Sequence, residues 1–118
     1  MIRGEIWWAD FGIPFGSETG FRRPVLIVQD DSFNKSNINT IVIIPFTTNI
    51  DLKDAPGNIF IEMERSGLPK NSVLVVSQIC ALDKKRLVER VKKISIGIMR
   101  KTEEGIMLIL GIENLKNS

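Results

Sequence analysis

The chain of 118 residues is 43% hydrophobic and 25% charged, which argues against disorder and predicts one globular domain over residues 1–118. Its net charge of +2 permits a nucleic-acid partner but argues against a dense, non-specific phosphate binder. Histidine and tyrosine are absent, which excludes a two-histidine ribonuclease, a Ser-His-Asp triad and histidine-based metal sites.

The N-terminal part of the sequence predicts a strand followed by a long loop. Residues 5–11 include the adjacent Trp7 and Trp8 and have the composition of a strand. Strand alternation sends one tryptophan into the core and leaves at most one outside, where it could stack on a base. Residues 11–23 contain three glycines and one proline, a stretch too long for a hairpin turn. We therefore expect a functional loop there.

Two continuous apolar runs follow the loop. The first is PVLIV at residues 24–28, and the second is TIVII at residues 40–44, which continues into PFTT at residues 45–48. Neither run alternates between apolar and polar residues. Both are therefore predicted to be strands that are buried on both faces.

The second half of the sequence is less regular. Residues 59–63 predict another strand, residues 67–71 a turn, and residues 73–79 a further buried strand. In residues 87–94 the apolar positions are closer to helical spacing than to strict alternation. That segment stays open as either a helix or a strand.

The last element is predicted to be a helix. Ser95 is suited to cap its N-terminus, apolar residues between positions 98 and 110 recur near helical spacing, and Gly111 is suited to end it. Taken with the preceding segments, the sequence predicts a mainly β fold of five to seven short strands with a C-terminal helix. A small, strongly bent β-barrel fits this pattern.

The end of the long loop is the first candidate site. Ser17, Glu18, Arg22 and Arg23 bring a hydroxyl, a carboxylate and two guanidinium groups together just before a buried strand. A guanidinium matches phosphate geometry and stays charged at any working pH. Pro24 favours an extended conformation at Arg23. An ordinary surface loop with an ion pair between Glu18 and an arginine fits the composition equally well.

Polar residues near the ends of two strands are further candidates. The hydroxyls of Thr47 and Thr48 could hold a phosphate oxygen or orient a ribose hydroxyl, although a strand-end threonine more often bonds to the backbone. Gln78 could read a base edge or, equally, bond to the backbone. The KKR run at residues 84–86 is interpreted as a solvated turn with a secondary role in attracting phosphate.

The remaining signals concern redox state and location. Cys80 is the one cysteine, so it cannot form an internal disulfide, and we expect it to be a buried, inert thiol in a strand or turn. Arg3, Glu5 and Asp10 interrupt any apolar N-terminal run, and no segment has the apolar length of a membrane span. We therefore expect a cytoplasmic protein that has no membrane partner.

The order of these features resembles the MazF/PemK-type toxins. The resemblance runs along nearly the whole chain, with family-like spacing between its pieces. It is carried by GEIW at residues 4–7, GSE at 16–18, RPVLIVQD at 23–30, residues 42–47, NSV at 71–73 with Gln78, LDKKRL at 82–87, and LG at 110–111.

This resemblance implies a fold, a reaction and partners. The fold is a small SH3-like barrel with a C-terminal helix, as in the MazF, PemK and CcdB toxins, and residues 87–94 become a strand in it. The implied protein is a homodimer that cleaves single-stranded RNA, including mRNA, at short sequences. It needs neither a metal nor another cofactor, inhibits translation and growth, and is neutralised by a MazE-like antitoxin.

The resemblance also implies residue roles. The catalytic arginine of the family falls on Arg23 and its catalytic threonine on Thr47. The ribose 2′-hydroxyl attacks the adjacent phosphorus, Arg23 stabilises the charge on the phosphoryl oxygens, and Thr47 holds an oxygen or the attacking hydroxyl. Substrate binding falls to Ser17, Glu18, Arg22, Thr48 and Gln78, where Glu18 could orient Arg23 and Arg22 is the second choice as phosphate ligand.

Two observations limit what the resemblance implies. Ser77 and Cys80 stand where some relatives carry charged residues around the glutamine, so the RNA sequence preference is not implied. A CcdB-like gyrase poison, which has the same fold but does not cleave RNA, is the alternative function. A plain SH3-like interaction module is a third.

Overall fold

The computed structural model describes residues 1–12 and 22–113, and in them the chain forms a sheet of seven strands with a long C-terminal helix. The strands are β1 (Glu5–Asp10), β2 (Arg22–Ile27), β3 (Thr40–Thr47), β4 (Ile59–Ile61), β5 (Ser72–Leu74), β6 (Cys80–Asp83) and β7 (Leu87–Lys93). The helices are α1 (Asp31–Asn34), α2 (Met63–Ser66) and α3 (Ile96–Leu110), with 3-10 turns at Ile50–Asp54, Val76–Gln78 and Lys84–Arg86.

The sheet is antiparallel throughout and curls into a half-barrel. Its strand order is β4-β5-β3-β2-β1-β7, and β6 pairs with β3 beside this path. The predicted mainly β fold with a C-terminal helix is therefore confirmed. As far as the described residues show, β4 and β7 end the strand path without pairing with each other, so the barrel is open.

Strand β2 is buried on both faces, as its continuous apolar run predicted. Val25 and Ile27 pack in one cluster with residues of β3, while Leu26 and Val28 pack in a second cluster with Ile44 on the other face. Each such side chain contributes about 1.5–3 kcal/mol when it is fully buried. The two clusters together fix the register of β1, β2 and β3, because a slip of one residue would exchange the faces.

The predicted start and end of helix α3 are both confirmed. The Ile98 N–H donates to Ser95 Oγ at 3.2 Å, and Gly111 ends the helix in the left-handed conformation with φ of +68°. The helix packs closely at Gly105 on the turn that precedes β4, where an added Cβ would lie 2.5 Å from the Gly57 carbonyl oxygen. A glycine is therefore required at position 105 for α3 to reach this position.

Residues 87–93 of the open segment form strand β7, as the family resemblance implied; the spacing of the apolar residues had not distinguished a strand from a helix. The β7 pairing with β1 shifts register twice, so that Val88 and Val91 have no direct partner on β1. These two bulges offset the apolar positions from strict alternation. The resulting spacing imitates a helix, which is why periodicity alone left the segment open.

The expected strand at residues 73–79 is only partly correct. Strand β5 ends at Leu74, the Val75 N–H donates to the Pro45 carbonyl at 3.0 Å, and the chain then makes the 3-10 turn Val76–Gln78 before β6. Side chains from Val73 to Val76 are all buried. An uninterrupted apolar run therefore concealed a break in the strand.

Cys80 was predicted in a strand or turn and lies in β6, but the prediction that it is buried is wrong. Its side chain is exposed, because in the described part of the chain β6 pairs only with β3 and forms an edge of the sheet. Partial desolvation still raises the pKa of the thiol above its ordinary value.

The KKR run at residues 84–86 forms the predicted turn, in which the first lysine is half-buried and the other two residues are exposed. Lys84 Nζ donates to the Asn34 carbonyl at 3.0 Å and to the Ser36 carbonyl at 3.2 Å. Lys84 therefore anchors the chain after α1, and the solvated cations of the turn are Lys85 and Arg86. Among the described residues, no helix is both long and apolar enough to span a membrane.

Candidate active-site groove

A groove opens where β3 separates from β2. Strand β3 pairs with β2 from Ile43 to Pro45, and its next residues, Phe46 and Thr47, pair instead with β5. The space between the diverging strands has a volume of about 360 Å³, near the lower end of the usual range for small-molecule sites. It is lined by Trp8, Arg22, Arg23, Pro24, Phe46, Thr47, Thr48, Leu68, Pro69, Lys70 and Ser72.

The two predicted catalytic residues line this groove together. The last pair of the β2–β3 ladder is Val25 with Pro45, and counting two residues further along each strand reaches Arg23 and Thr47. They therefore occupy matching positions on the two sides of the fork. Arg23 is exposed and Thr47 is half-buried. A strand and its neighbour, rather than loops alone, set the separation of these side chains.

The Thr47 hydroxyl is oriented by the chain that follows it. Its Oγ1 accepts a hydrogen bond from the Asn49 N–H at 3.2 Å. The bond uses one lone pair of the oxygen and leaves the hydroxyl proton available for donation to a ligand. Thr48, the next residue, is exposed and also lines the groove. Both predicted threonines are thus at the site, and Thr47 has the more defined environment.

The groove is electropositive. Among the described residues, its lining includes Arg22, Arg23 and Lys70 but no acidic residue. Within residues 1–12 and 22–113, the ion pairs are formed by Arg3, Arg90 and the N-terminal amine, and none involves a cation of the groove. Cations concentrated in a cleft attract an anionic ligand, and arginine favours phosphate in particular.

Sequence reasoning missed the wall opposite the arginines. It is formed by the segment between α2 and β5, of which Leu68, Pro69, Lys70 and Ser72 line the groove. The Leu68 N–H donates to Ser66 Oγ at 3.1 Å, and Ser72 Oγ donates to the Lys70 carbonyl at 3.0 Å. The sequence predicted only a turn here. It carried no signal that the turn would face Arg23.

The structure places one of the three other predicted site residues outside this groove and does not describe the other two. Ser17 and Glu18 lie outside the described residues. Gln78 lies at the end of the 3-10 turn between β5 and β6, where its side chain is exposed, and it does not line the groove. Its role in reading a base stays a prediction.

A second depression, lined by charges of both signs, lies beside the groove. Lys85 and Arg86 border a shallow depression with Asp10, and Arg86 Nη1 donates to the Asp10 carbonyl at 3.3 Å. Asp10 is the pairing partner of Arg22. The groove and the depression therefore adjoin across β1, but the charged side chains that line the depression are two aspartates, Asp10 and Asp83, and two cations. In the part of the chain that the structure describes, no group of three or more acidic or cysteine side chains is placed to hold a metal ion.

Comparison with known proteins adds an independent finding. Residues 2–110 match the family described as the PemK-like, MazF-like toxin of type II toxin–antitoxin systems. Endoribonuclease MazF2 of Mycobacterium bovis and endoribonuclease MazF6 of Mycobacterium tuberculosis are each 37% identical to this chain over 112 residues, which are 95% of this chain and 98% of the relative.

A solved structure supports the fold. The crystal structure of MazE-MazF from Deinococcus radiodurans includes a chain that superposes with a TM-score of 0.77 at 21% identity. The superposition covers 96% of this chain and 97% of that one. The likeness extends over nearly the complete architecture.

Proposed function

Because the chain belongs to the PemK-like, MazF-like toxin family and is an RNA-cleaving toxin of that family, we propose that it cuts single-stranded RNA, including mRNA, in the groove between β2 and β3. The observation that carries this proposal is the placement of Arg23 and Thr47 on facing sides of one electropositive groove. Cleavage of mRNA at short sequences would inhibit translation and growth.

The proposed reaction uses a nucleophile from the substrate. The ribose 2′-hydroxyl attacks the adjacent phosphorus, forming a new P–O2′ bond, and the bond to the 5′-oxygen of the next nucleotide breaks. The 2′-hydroxyl gives up its proton, and the leaving oxygen gains one. The products end in a 2′,3′-cyclic phosphate and a 5′-hydroxyl. Attack within one molecule is accelerated by correct positioning, so the enzyme needs no nucleophile of its own.

The two groove residues have distinct tasks in this reaction. Arg23 contacts the phosphoryl oxygens and stabilises the negative charge that grows on them in the transition state. Thr47 donates its free hydroxyl proton to a phosphoryl oxygen or holds the attacking 2′-hydroxyl. Neither task requires a histidine, which the sequence lacks. Arg22, Thr48 and Gln78 are proposed to bind the flanking nucleotides, and Ser17 and Glu18 stay candidates from the sequence.

A cleavage assay in the presence of a chelator tests the proposal. The pure protein is incubated with single-stranded RNA, and the product ends are mapped. We expect cyclic-phosphate ends from the natural protein and their loss in Arg23→Ala, whereas Arg100→Ala on the exposed side of α3 cleaves normally. No cleavage of any RNA, together with inhibition of gyrase, would favour the CcdB-like alternative. The curated relatives are named endoribonucleases and do not favour that alternative.

We propose a two-fold homodimer as the working form. The C-terminal part of α3 and the residue after its cap expose several large apolar side chains, namely Met107, Leu108, Leu110 and Ile112. A cluster of exposed apolar side chains is typical of an interaction surface. Light scattering should give the mass of a dimer, and Leu108→Glu should lower it to that of a monomer. A monomer that cleaves RNA at the full rate would contradict this assembly.

We also propose a protein inhibitor. A disordered acidic segment of a MazE-like antitoxin would cover the groove and neutralise Arg22 and Arg23. The solved MazE-MazF structure from Deinococcus radiodurans supports this kind of partner by its name. Co-purification with a small acidic protein that stops cleavage would support it, whereas high-level production of the active enzyme alone without growth arrest would count against it. The location proposed for this RNA-cleaving protein is the cytoplasm.

A further inference from the structure

The groove has an apolar floor that phosphate binding does not require. Trp8, Pro24 and Phe46 form this floor, and Leu68 and Pro69 add apolar surface on the wall that carries Lys70. A groove that recognised only the RNA backbone would gain nothing from these side chains. The flat face of a nucleobase, in contrast, stacks on aromatic side chains and packs against apolar ones.

Trp8 is the aromatic side chain best placed for such stacking. It is half-buried, with one part packed on the main core cluster, which includes Phe46, and another part lining the groove. The core supports the ring, so little freedom is lost when a base stacks on it. Its neighbour Trp7 donates to Glu5 Oε1 at 3.1 Å and packs on the other core cluster, which contains Val25 and Ile27. The two tryptophan side chains therefore lie on opposite faces of β1.

Lys70 places a cation on the wall that faces the arginines. Its side chain is exposed, and its backbone is held by Pro69 before it and by the Ser72 hydroxyl bonded to its carbonyl. The segment is also tied to α2, because the Met63 N–H donates to Asn71 Oδ1 at 2.9 Å. Lys70 thus extends into the groove from a fixed position. A nucleotide within an RNA chain has one phosphate on the 5′ side and one on the 3′ side of its ribose. The groove likewise has cations on both sides of its floor.

We infer that the groove is a clamp for one unpaired nucleotide, with the base stacked on Trp8, one phosphate at Arg23 and Thr47, and the neighbouring phosphate at Lys70. This inference rests on the proposed function and names a substrate subsite for it. Bases in a duplex are stacked and paired, so they cannot enter the clamp. The clamp therefore explains why the substrate is single-stranded, and the fit of the base over Trp8 contributes to the sequence preference.

The phosphate contact is tested by the salt dependence of binding. The ligand is a short RNA with a 2′-deoxy nucleotide at the cleavage position, so that it binds without reacting. In Lys70→Gln we expect the slope of log affinity against log salt to fall by about 0.7, the value for one contact to a single strand. Lys70→Arg should keep the slope, and Lys101→Gln, which removes an equally exposed charge from α3, should not change it.

The base contact is tested by coupling Trp8 to the base. Replacing the clamped nucleotide by an abasic one should weaken binding to the natural protein about five- to a hundred-fold. The same replacement should have little effect on Trp8→Leu, which keeps an apolar side chain in the floor but removes the aromatic face. Trp7→Phe leaves Trp8 as the one tryptophan of the chain. In this variant, normal RNA should quench the Trp8 fluorescence and abasic RNA should not. This second measurement does not depend on how well Trp8→Leu folds.

Two results would overturn the clamp while leaving the proposed function intact. One is an unchanged salt slope in Lys70→Gln with normal RNA cleavage by the natural protein. The other is an equal abasic penalty in the natural protein and Trp8→Leu. If Lys70→Gln weakens only the binding of an acidic protein, the wall is a protein-docking surface and the clamp is wrong. Failure of the proposed function differs from all of these, because the natural protein then cleaves no RNA.

Discussion

Two clusters of charge on the same sheet have opposite designs. The carboxylate of Glu5 is buried and accepts hydrogen bonds from the Ile2 N–H at 2.8 Å, from Trp7 Nε1 at 3.1 Å and from Arg90 Nε. The described lining of the groove, in contrast, includes Arg22, Arg23 and Lys70 and no acidic residue. One cluster satisfies its charges within the chain, and the other presents them to a ligand.

The difference indicates that separate groups of residues determine the stability of this fold and its proposed activity. A buried carboxylate is tolerated only when hydrogen bonds replace its hydration, so Glu5 joins the N-terminus, β1 and β7 into one unit. Exposed cations need no such partners and contribute little to the fold. Changes at Glu5 should therefore affect folding, and changes in the groove should affect catalysis at an unchanged stability.

The largest effect is expected at Arg23. Arg23→Ala should lower the cleavage rate about a hundred- to a thousand-fold, because it removes the group that stabilises the developing phosphoryl charge. The melting temperature should not change, since the side chain is exposed. Initial cleavage rates and thermal unfolding measure the two quantities. A large loss of stability in Arg23→Ala would contradict the division between the clusters.

A smaller effect on the same reaction is expected at Thr47. Thr47→Val keeps the shape of the side chain and removes the hydroxyl, so the rate should fall about ten- to a hundred-fold, as for a lost hydrogen bond to a charged group. Thr47→Ser keeps the hydroxyl and should retain most of the rate. If the serine and valine variants cleave equally slowly, the hydroxyl is not the functional part of Thr47.

At Glu5 the expected change is in stability. Glu5→Gln places an amide NH₂ among groups that already donate, and it should lower the free energy of unfolding by about 1–3 kcal/mol. Urea unfolding followed by circular dichroism measures this loss. The folded fraction should still cleave RNA at the natural rate per molecule. Glu103→Gln, which removes the other carboxylate that pairs with an arginine, is the matched control and should cost less because that pair is more exposed.

The smallest effect is a dependence of stability on acid. Burial would raise the pKa of Glu5, but the hydrogen bonds from Arg90, Trp7 and Ile2 outweigh it and hold the pKa below the ordinary 4.5. The charged form is thus favoured in the folded state, so its stabilisation is present above pH 4.5 and is lost as the pH falls through the folded pKa. Melting temperatures measured from pH 6 downward should decline less steeply in Glu5→Gln.

Part of the acid dependence should survive in that variant. Hydrogen bonds from Ser32 lower the pKa of Asp30, and those from the Arg3 backbone and Asn34 lower the pKa of Asp31. Both carboxyl groups lose stabilisation in the same direction on acidification. An identical pH profile in Glu5→Gln and the natural protein would mean that Glu5 is not a source of the dependence.

The sequence predicted those parts of the fold that depend on local chemistry. Ser95 and Gly111 mark the ends of α3 because capping needs only neighbouring residues, and the apolar run of β2 implied burial on both faces. The β7 segment was ambiguous because its bulges depend on pairing with β1, which is remote in sequence. The exposure of Cys80 likewise depends on β6 being an edge strand.

The distinction between local chemistry and contacts made only in the tertiary fold applies to the site as well. Arg23 and Thr47 were identified through a family resemblance that covers nearly the whole chain. Residue chemistry alone left each of them with an ordinary structural explanation. The opposite wall, with Lys70, could not be predicted because it meets β2 only through the tertiary fold. Gln78 was grouped with the site because it ends a buried run, but the 3-10 turn places it elsewhere.

The central claim, that the groove activates the substrate's own 2′-hydroxyl, is tested most directly by one substitution in the RNA. A substrate with a single 2′-deoxy nucleotide at the cleavage position should bind normally in chelator but remain uncut there, while the all-ribose substrate yields a 2′,3′-cyclic phosphate. Cleavage of the deoxy substrate at the same position, with a linear phosphate end, would show that the nucleophile comes from water or the protein and would contradict the account.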